Sequence, residues 1–161
     1  KIFIDAKFAG DEYNRRSIMG KIIYLNNALV GWNSKAMSGV TLSSTEAEYV
    51  SMSEGQKDLK FIYMSLKYLQ MKVNLPMLVL INNIGAIEML DMKTNKCRTK
   101  HVDTHYHGTH EFIEDDIMNL NDVKLEDNVS DICTKNLPTK LFKRHSEKLV
   151  SGIGLFMRCN M

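Results

Sequence analysis

From residue 44 to about residue 70 the chain carries one helical stripe, Glu48, Met52, Gly55, Leu59, Ile62, Leu66 and Leu69, at alternating steps of four and three. Apart from the glycine, everything after Glu48 on this stripe is apolar, so it is the buried face of a long helix. The segments around it are strand-like, which leaves a sheet as the surface it packs on. The stretch LSSTEAEYVS, residues 42–51, holds two glutamates two positions apart. At about 3.6 residues per turn, Glu46 and Glu48 point roughly 200° away from each other. Ser43 with Glu46 fits a capping box, in which hydroxyl and carboxylate satisfy orphan N–H groups at a helix start. Glu48 heads the buried stripe instead, and a carboxylate aimed there needs a metal, a base or a solvent-filled cleft. Thr45 with Glu48 makes a second possible capping box, so spacing alone leaves two roles open for Glu48.

KIFID reads as a strand, and AGDEYNRRS after it as a polar loop carrying Arg15 and Arg16. IMGKIIYL and ALVGWNS are strand-like and joined by Asn26-Asn27, residues that tolerate the positive φ of a tight hairpin. After the long helix, Pro76 introduces MLVLI, a continuous apolar run of the kind found in a central strand covered on both faces. IGAIEML is a short helix candidate, KTNKCRTKH a basic loop, and VDTHYHGTHEFIEDD a helical stretch. IMNLNDVKL is strand-like, and NVSDICTK a short helix stopped by Pro138. TKLFKRHSEKLV closes the order, with Leu141, His145 and Lys148 or Leu149 at helical steps. The order β-β-β-α-β-α-α-β-α predicts an α/β fold. Its sheet is mixed and five-stranded, three antiparallel strands continuing into parallel ones, with helices on its faces. No internal repeat or second domain is visible, so residues 1–161 are expected to form a single domain. The strand-like opening without a methionine predicts a fragment of a longer polypeptide.

A net charge of +2 does not by itself imply a polyanionic partner. Three well-separated cysteines, Cys97, Cys133 and Cys159, argue against a disulfide framework and suit a reducing compartment. No apolar run approaches the roughly 20 residues of a membrane span, and KIFIDAKFAG is no signal peptide. The eleven methionines read as core filler.

Four polar positions fall where open α/β sheets place their sites: Asp5 in or ending the first strand, Glu48 on the first helix, Asn82 ending the central strand, and Asp131 on a late short helix. If the acids converged, hard divalent cations such as Mg²⁺ would be the expected guests. Such a cluster can hold two metals and drive an in-line displacement at phosphorus.

The segments IDAKFAGDEYNRRSIMGKIIYL, VGWNSK, LSSTEAEYVSMSEGQKDL, NNIGAIEML, RTKHVDTHYH and DNVSDICTKNL resemble, in order, the ribonuclease H domain of copia-type retrotransposon Pol polyproteins. The resemblance covers almost the whole chain. It implies a ribonuclease H fold that cuts the RNA strand of an RNA–DNA hybrid with two Mg²⁺ ions on an Asp-Glu-Asp-Asp set, Mn²⁺ serving as a substitute. Carried over by position, the metal ligands are Asp5, Glu48 and Asp131, and the third aspartate falls on Asn82. An asparagine offers a carbonyl oxygen without charge, so one ion or none is expected here, and the chain is expected to be an impaired, degenerate enzyme. Glu88 lies almost two turns further on and is a poor substitute. Lys7 stands where the family has a second acid, and Phe8 where it has tryptophan. Lys7 shares a strand face with Asp5, which places a positive charge beside a metal ligand.

The linker holding Lys93, Lys96, Arg98, Lys100 and His101, together with Arg15 and Arg16, is the expected contact for a hybrid duplex. Recognition would rest on groove shape and 2′-OH groups rather than base edges. A solvated loop is the plainer reading of the same charges. His101, His105, His107 and His110 near Cys97 invite zinc, but the group lacks a second cysteine pair. No histidine lies just before Asp131, which leaves a water-relayed proton or Glu126. The expected partners are an RNA–DNA hybrid and the reverse transcriptase domain of the same polyprotein, with no membrane, in the cytoplasm or within virus-like particles. The competing reading is a non-catalytic ribonuclease H-fold module that binds nucleic acid or packs on a reverse transcriptase domain. An integrase- or exonuclease-like member of the same superfamily is less favoured by the motifs.

Overall fold

The computed structural model describes residues 1–91, 109 and 111–158. Its centre is a five-stranded mixed sheet in the order β3-β2-β1-β4-β5, formed by β1 (Ile2–Lys7), β2 (Ile18–Leu25), β3 (Ala28–Ala36), β4 (Met77–Ile81) and β5 (Met118–Asp122). β1, β2 and β3 form the antiparallel meander, and β4 and β5 add in parallel, β4 beside β1. Asn26 and Asn27 both adopt positive φ, 49° and 64°, as the β2–β3 hairpin requires.

Helix α1 (Ser44–Tyr68) is capped at Ser43, whose hydroxyl accepts from the Glu46 N–H at 3.0 Å. The Glu46 carboxylate returns to the Leu42 N–H at 2.6 Å, one residue earlier than an ordinary capping box, so it also fixes the approach to the helix. The alternative box at Thr45 does not form the start, and Glu48 turns inward. The stripe is buried through Glu48, Met52, Gly55 and Leu59, then fades, with Leu69 63% exposed beyond the end of the helix. Gly55 permits a close approach to β1, since a Cβ there would lie 2.5 Å from Ile4 Cδ1.

Strand periodicity splits the core between the two sheet faces. Ile2, Ile4, Ile23, Val79 and Ile81 meet Met52 and Leu59 of α1, while Ile22 and Tyr24 meet Val129, with Phe3 and Leu149 packed alongside. Helix α2 (Ile84–Asp91) starts at Asn83, whose Oδ1 accepts from the Ala86 N–H at 3.0 Å. The expected short helix around residue 131 is a five-residue 3-10 turn, Val129–Cys133, preceded by another at Leu125–Asp127. The last helix, α3 (Thr139–Arg158), runs past the predicted amphipathic piece and contacts β3 and the Val129–Cys133 turn. β4 is therefore less covered than its apolar run implies: Val79 and Ile81 are fully buried, but Leu78 is 41% exposed. Met19, Met37, Met52 and Met118 fill the core, whereas Met64 and Met71 are exposed. Of the expected helix over residues 102–116, residues 109 and 111–114 are helical and the part from 102 to 108 lies outside the described residues. No helix among the described residues is long and apolar enough to cross a membrane.

A candidate acidic site at the end of the first strand

Asp5 stands near the end of β1 on the face opposite Ile2 and Ile4. Its partner across the antiparallel pair is Gly20. A Cβ on Gly20 would lie 2.6 Å from Thr134 Cγ2, 2.7 Å from Cys133 Cβ and 3.0 Å from the Ser130 carbonyl oxygen. The bare backbone of Gly20 is thus what lets the Val129–Cys133 turn rest directly on β2. Asn128 fixes the turn from its other end: its Nδ2 donates to the Ile4 carbonyl at 3.0 Å, and its Oδ1 accepts from Ser130 Oγ at 2.5 Å and from the Ser130 N–H at 3.3 Å. With the turn held at both ends, Asp131 is buried beside Asp5.

Lys135 closes this pair. Its ammonium lies 2.9 Å from Asp5 Oδ1 and 3.0 Å from Asp131 Oδ1. The Thr134 hydroxyl donates to the other oxygen of Asp5. Glu48 reaches the same region from α1, accepts from the Ala6 N–H, and keeps a buried Oε2 with no hydrogen-bond partner among the described residues. Burial, reinforced by the charge of Asp5, pushes the Glu48 carboxyl up to about 8, against the pull of the Ala6 N–H and Lys135. Burial and Asp5 likewise push Asp131 up to about 6, opposed by Lys135. Burial is the largest cause of both shifts and like-charge crowding adds to it, with Lys135 the opposing ammonium among the described residues.

Asn82 follows β4 directly. The last paired rung between β1 and β4 is Ile4 with Ile81, so Asp5 and Asn82 are the next residues on neighbouring parallel strands. Asn82 is half-buried, and Glu88 is exposed on α2. Lys7 is exposed, and the cation against Asp5 is Lys135 rather than Lys7. Phe8 is 42% exposed. Glu126 sits 4.0 Å from the Arg144 guanidinium of α3, in an exposed pair. Arg15 and Arg16 are exposed on the β1–β2 loop, away from the acids' hydrogen bonds. Lys93, Lys96, Arg98, Lys100, His101, His105, His107, His110 and Cys97 lie outside the described residues. Position at strand ends and on helices, together with the family resemblance, flagged Asp5, Glu48, Asn82 and Asp131, but not Lys135, Asn128 or Gly20. For Lys135 the position four residues after Asp131 was the available signal.

Among the described residues no group of three or more His, Cys, Asp or Glu side chains is arranged to hold a metal ion. The donor chemistry nevertheless fits a divalent cation, because the oxygens are hard and Glu48 Oε2 is buried without a partner among those residues. Two ions fit poorly, since Lys135 already engages Asp5 and Asp131 and the fourth position is the neutral Asn82.

The strand order and the acid-bearing β1 define a ribonuclease H-like fold. Its likeness to LC11-RNase H1, isolated from compost by a metagenomic approach, has a TM-score of 0.51 at 16% identity and covers 97% of this chain and 96% of that one. No protein-family model matches the chain. In sequence it is 30% identical over 143 residues to the retrovirus-related Pol polyprotein from transposon TNT 1-94 of Nicotiana tabacum. It is 31% identical over 147 residues to that from transposon RE2 of Arabidopsis thaliana. These matches cover 89% and 91% of this chain, and 11% and 10% of the respective polyproteins. The chain is a ribonuclease H-like domain homologous to a segment of the copia-type Pol polyproteins of plant transposons. It spans about a tenth of the length of those relatives.

Proposed function

We propose that this chain is a retrotransposon-type ribonuclease H that hydrolyses the RNA strand of an RNA–DNA hybrid, weakened by the asparagine at position 82. The observation that carries this reading is the meeting of Asp5, Glu48 and Asp131 from three separate elements, with Glu48 Oε2 buried and without a partner among the described residues. Asp5, Glu48 and Asp131 would hold Mg²⁺, or Mn²⁺ in its place. The bound ion would lower the pKa of attacking water and stabilise charge at the scissile phosphate. Asn82 contributes at most a carbonyl oxygen beside Asp5, which leaves the site one negative charge short of a four-carboxylate set. Asn128 and Gly20 hold the Asp131 turn against β1, and Thr134 orients the Asp5 carboxylate.

In this reading Arg15 and Arg16, together with Lys96, Arg98, Lys100 and His101, neutralise phosphates of the hybrid without reading sequence. The 161 residues act as a single domain of a longer polyprotein, beside its reverse transcriptase domain, in the cytoplasm or within virus-like particles under reducing conditions. A second reading, a non-catalytic module that binds the hybrid or packs on the reverse transcriptase, draws support from Lys135, which already pairs with two of the acids.

Cleavage of a labelled RNA–DNA hybrid in Mg²⁺ and in Mn²⁺, comparing the chain with Asn82→Asp, separates the two. Weak or absent cleavage that Asn82→Asp raises by at least tenfold supports the impaired enzyme. Silence of both, with the hybrid still bound, supports the binding module.

A further inference from the structure

The Lys135 ammonium is the positive charge placed directly between two buried acids, and it comes from the same short segment as one of them. The backbone makes this placement firm: the Lys135 N–H donates to the Asp131 carbonyl at 3.0 Å, and the Thr134 N–H to the same oxygen at 3.1 Å. Asp5 and Asp131 are each 2% exposed at the side chain, whereas Lys135 is 30% exposed. The acids are therefore fixed in the interior, while the ammonium has a route to water at the end of a flexible four-carbon stem. That route opens into a depression of about 430 Å³ lined by Thr134 and Lys135 on one side and by Asp11 and Glu12 of the β1–β2 loop on the other. A withdrawn ammonium would find the carboxylates of Asp11 and Glu12 there, in a lining that also includes Lys7.

We propose that Lys135 is the built-in counter-ion of the acidic site, which holds Asp5 and Asp131 together in the metal-free chain and must be displaced before a divalent cation binds. The inference rests on the reading of Asp5, Glu48 and Asp131 as cation ligands and adds the residue that sets their affinity. The physical basis is competition for the same oxygens. Lys135 uses one oxygen each of Asp5 and Asp131, and the Glu48 Oε2 is left without a partner among the described residues. A single ammonium cannot satisfy three carboxylates, whereas a divalent oxygen-seeking ion can bring in Glu48 as well. The ammonium thus acts as a resident competitor that lowers ion affinity while keeping the acids folded in.

The test is a calorimetric titration of the full chain with Mn²⁺ alone, beside Lys135→Met, Glu48→Gln and the double variant. Lys135→Met is expected to bind Mn²⁺ at least tenfold more tightly, and Glu48→Gln to reverse most of that gain. Equal or weaker binding by Lys135→Met, with Glu48→Gln still lowering affinity in the native background, overturns the proposal and leaves the acids as ligands. Absence of Mn²⁺ binding in every variant overturns that ligand assignment and the proposal with it. Should Lys135→Met fail to fold, amine acylation of the native chain read by mass spectrometry decides: Lys135 labelling is expected to rise at least threefold on adding Mn²⁺. Labelling that is independent of Mn²⁺ overturns the proposal.

Discussion

The side-chain amide of Asn128 donates to the Ile4 carbonyl at 3.0 Å, tying the approach to the Asp131 turn to the strand that carries Asp5 across 124 positions of sequence. Both groups are buried, so loss of the donor leaves a carbonyl with no water to replace it. Asn128→Ala is expected to cost about 1–3 kcal/mol in urea denaturation. Asn128→Asp, which keeps the acceptor for Ser130 but loses the donor and buries a charge, is expected to cost at least as much at neutral pH. An unchanged midpoint for both would show that Asn128 does not anchor the turn.

Gly20 carries no side chain where the Val129–Cys133 turn crosses β2. Gly20→Val is expected to push Thr134 and Cys133 outward, because its Cβ would lie 2.6–2.7 Å from their side-chain atoms and 3.0 Å from a backbone oxygen. Destabilisation of about 1–3 kcal/mol follows from overpacking. The variant should also expose Lys135 to amine-reactive reagents faster than the native chain does. Native-like labelling together with native-like stability would contradict this role.

Glu48 makes the metal-free chain sensitive to alkali. Its folded pKa is about 8 against an ordinary 4.5, so the folded state binds this proton more tightly than the unfolded state does. The associated stability is fully present below about pH 4.5 and is lost as pH rises through 8, by an amount on the order of a few kcal/mol. In a chelator, the native chain should therefore lose more stability between pH 5.5 and 8.5 than Glu48→Gln does. Parallel pH profiles for the two proteins would refute the assignment.

His145 on α3 is fully buried, and neither ring nitrogen has a hydrogen-bond partner among the described residues. Burial, aided by Lys148 and Arg144 and opposed by Asp127, holds its pKa below the usual 6.5. The stability tied to its neutral form is thus complete above about pH 6.5 and declines as pH falls, because the unfolded chain then takes up a proton that the folded chain resists. His145→Leu is expected to match the native chain or exceed it by about 1 kcal/mol at pH 7.5, since it removes an unsatisfied buried group. It should also lose less stability between pH 7 and pH 5. A large loss at pH 7.5 would mean that the imidazole has a role its surroundings do not reveal.

Local rules made much of the frame legible in the sequence. The 3.6-residue period set Glu46 and Glu48 on different sides of the helix while leaving two roles open for Glu48, the Asn26-Asn27 pair marked its hairpin, and apolar runs located β2 and β4, because each signal depends on backbone geometry within a few residues. The covered state of β4 was less legible, since the position of α3 over β3 rather than β4 is a packing outcome. The electrostatic character of the acidic site was decided by tertiary structure alone. Asp5 meets Thr134 and Lys135 across 129 and 130 positions, and Asn128 reaches Ile4 across 124. No local period encodes such a meeting. It arises only when the chain returns to β1 and a bare glycine lets the last turn approach, which is why the sequence named the three acids and the fold supplied the cation that joins two of them.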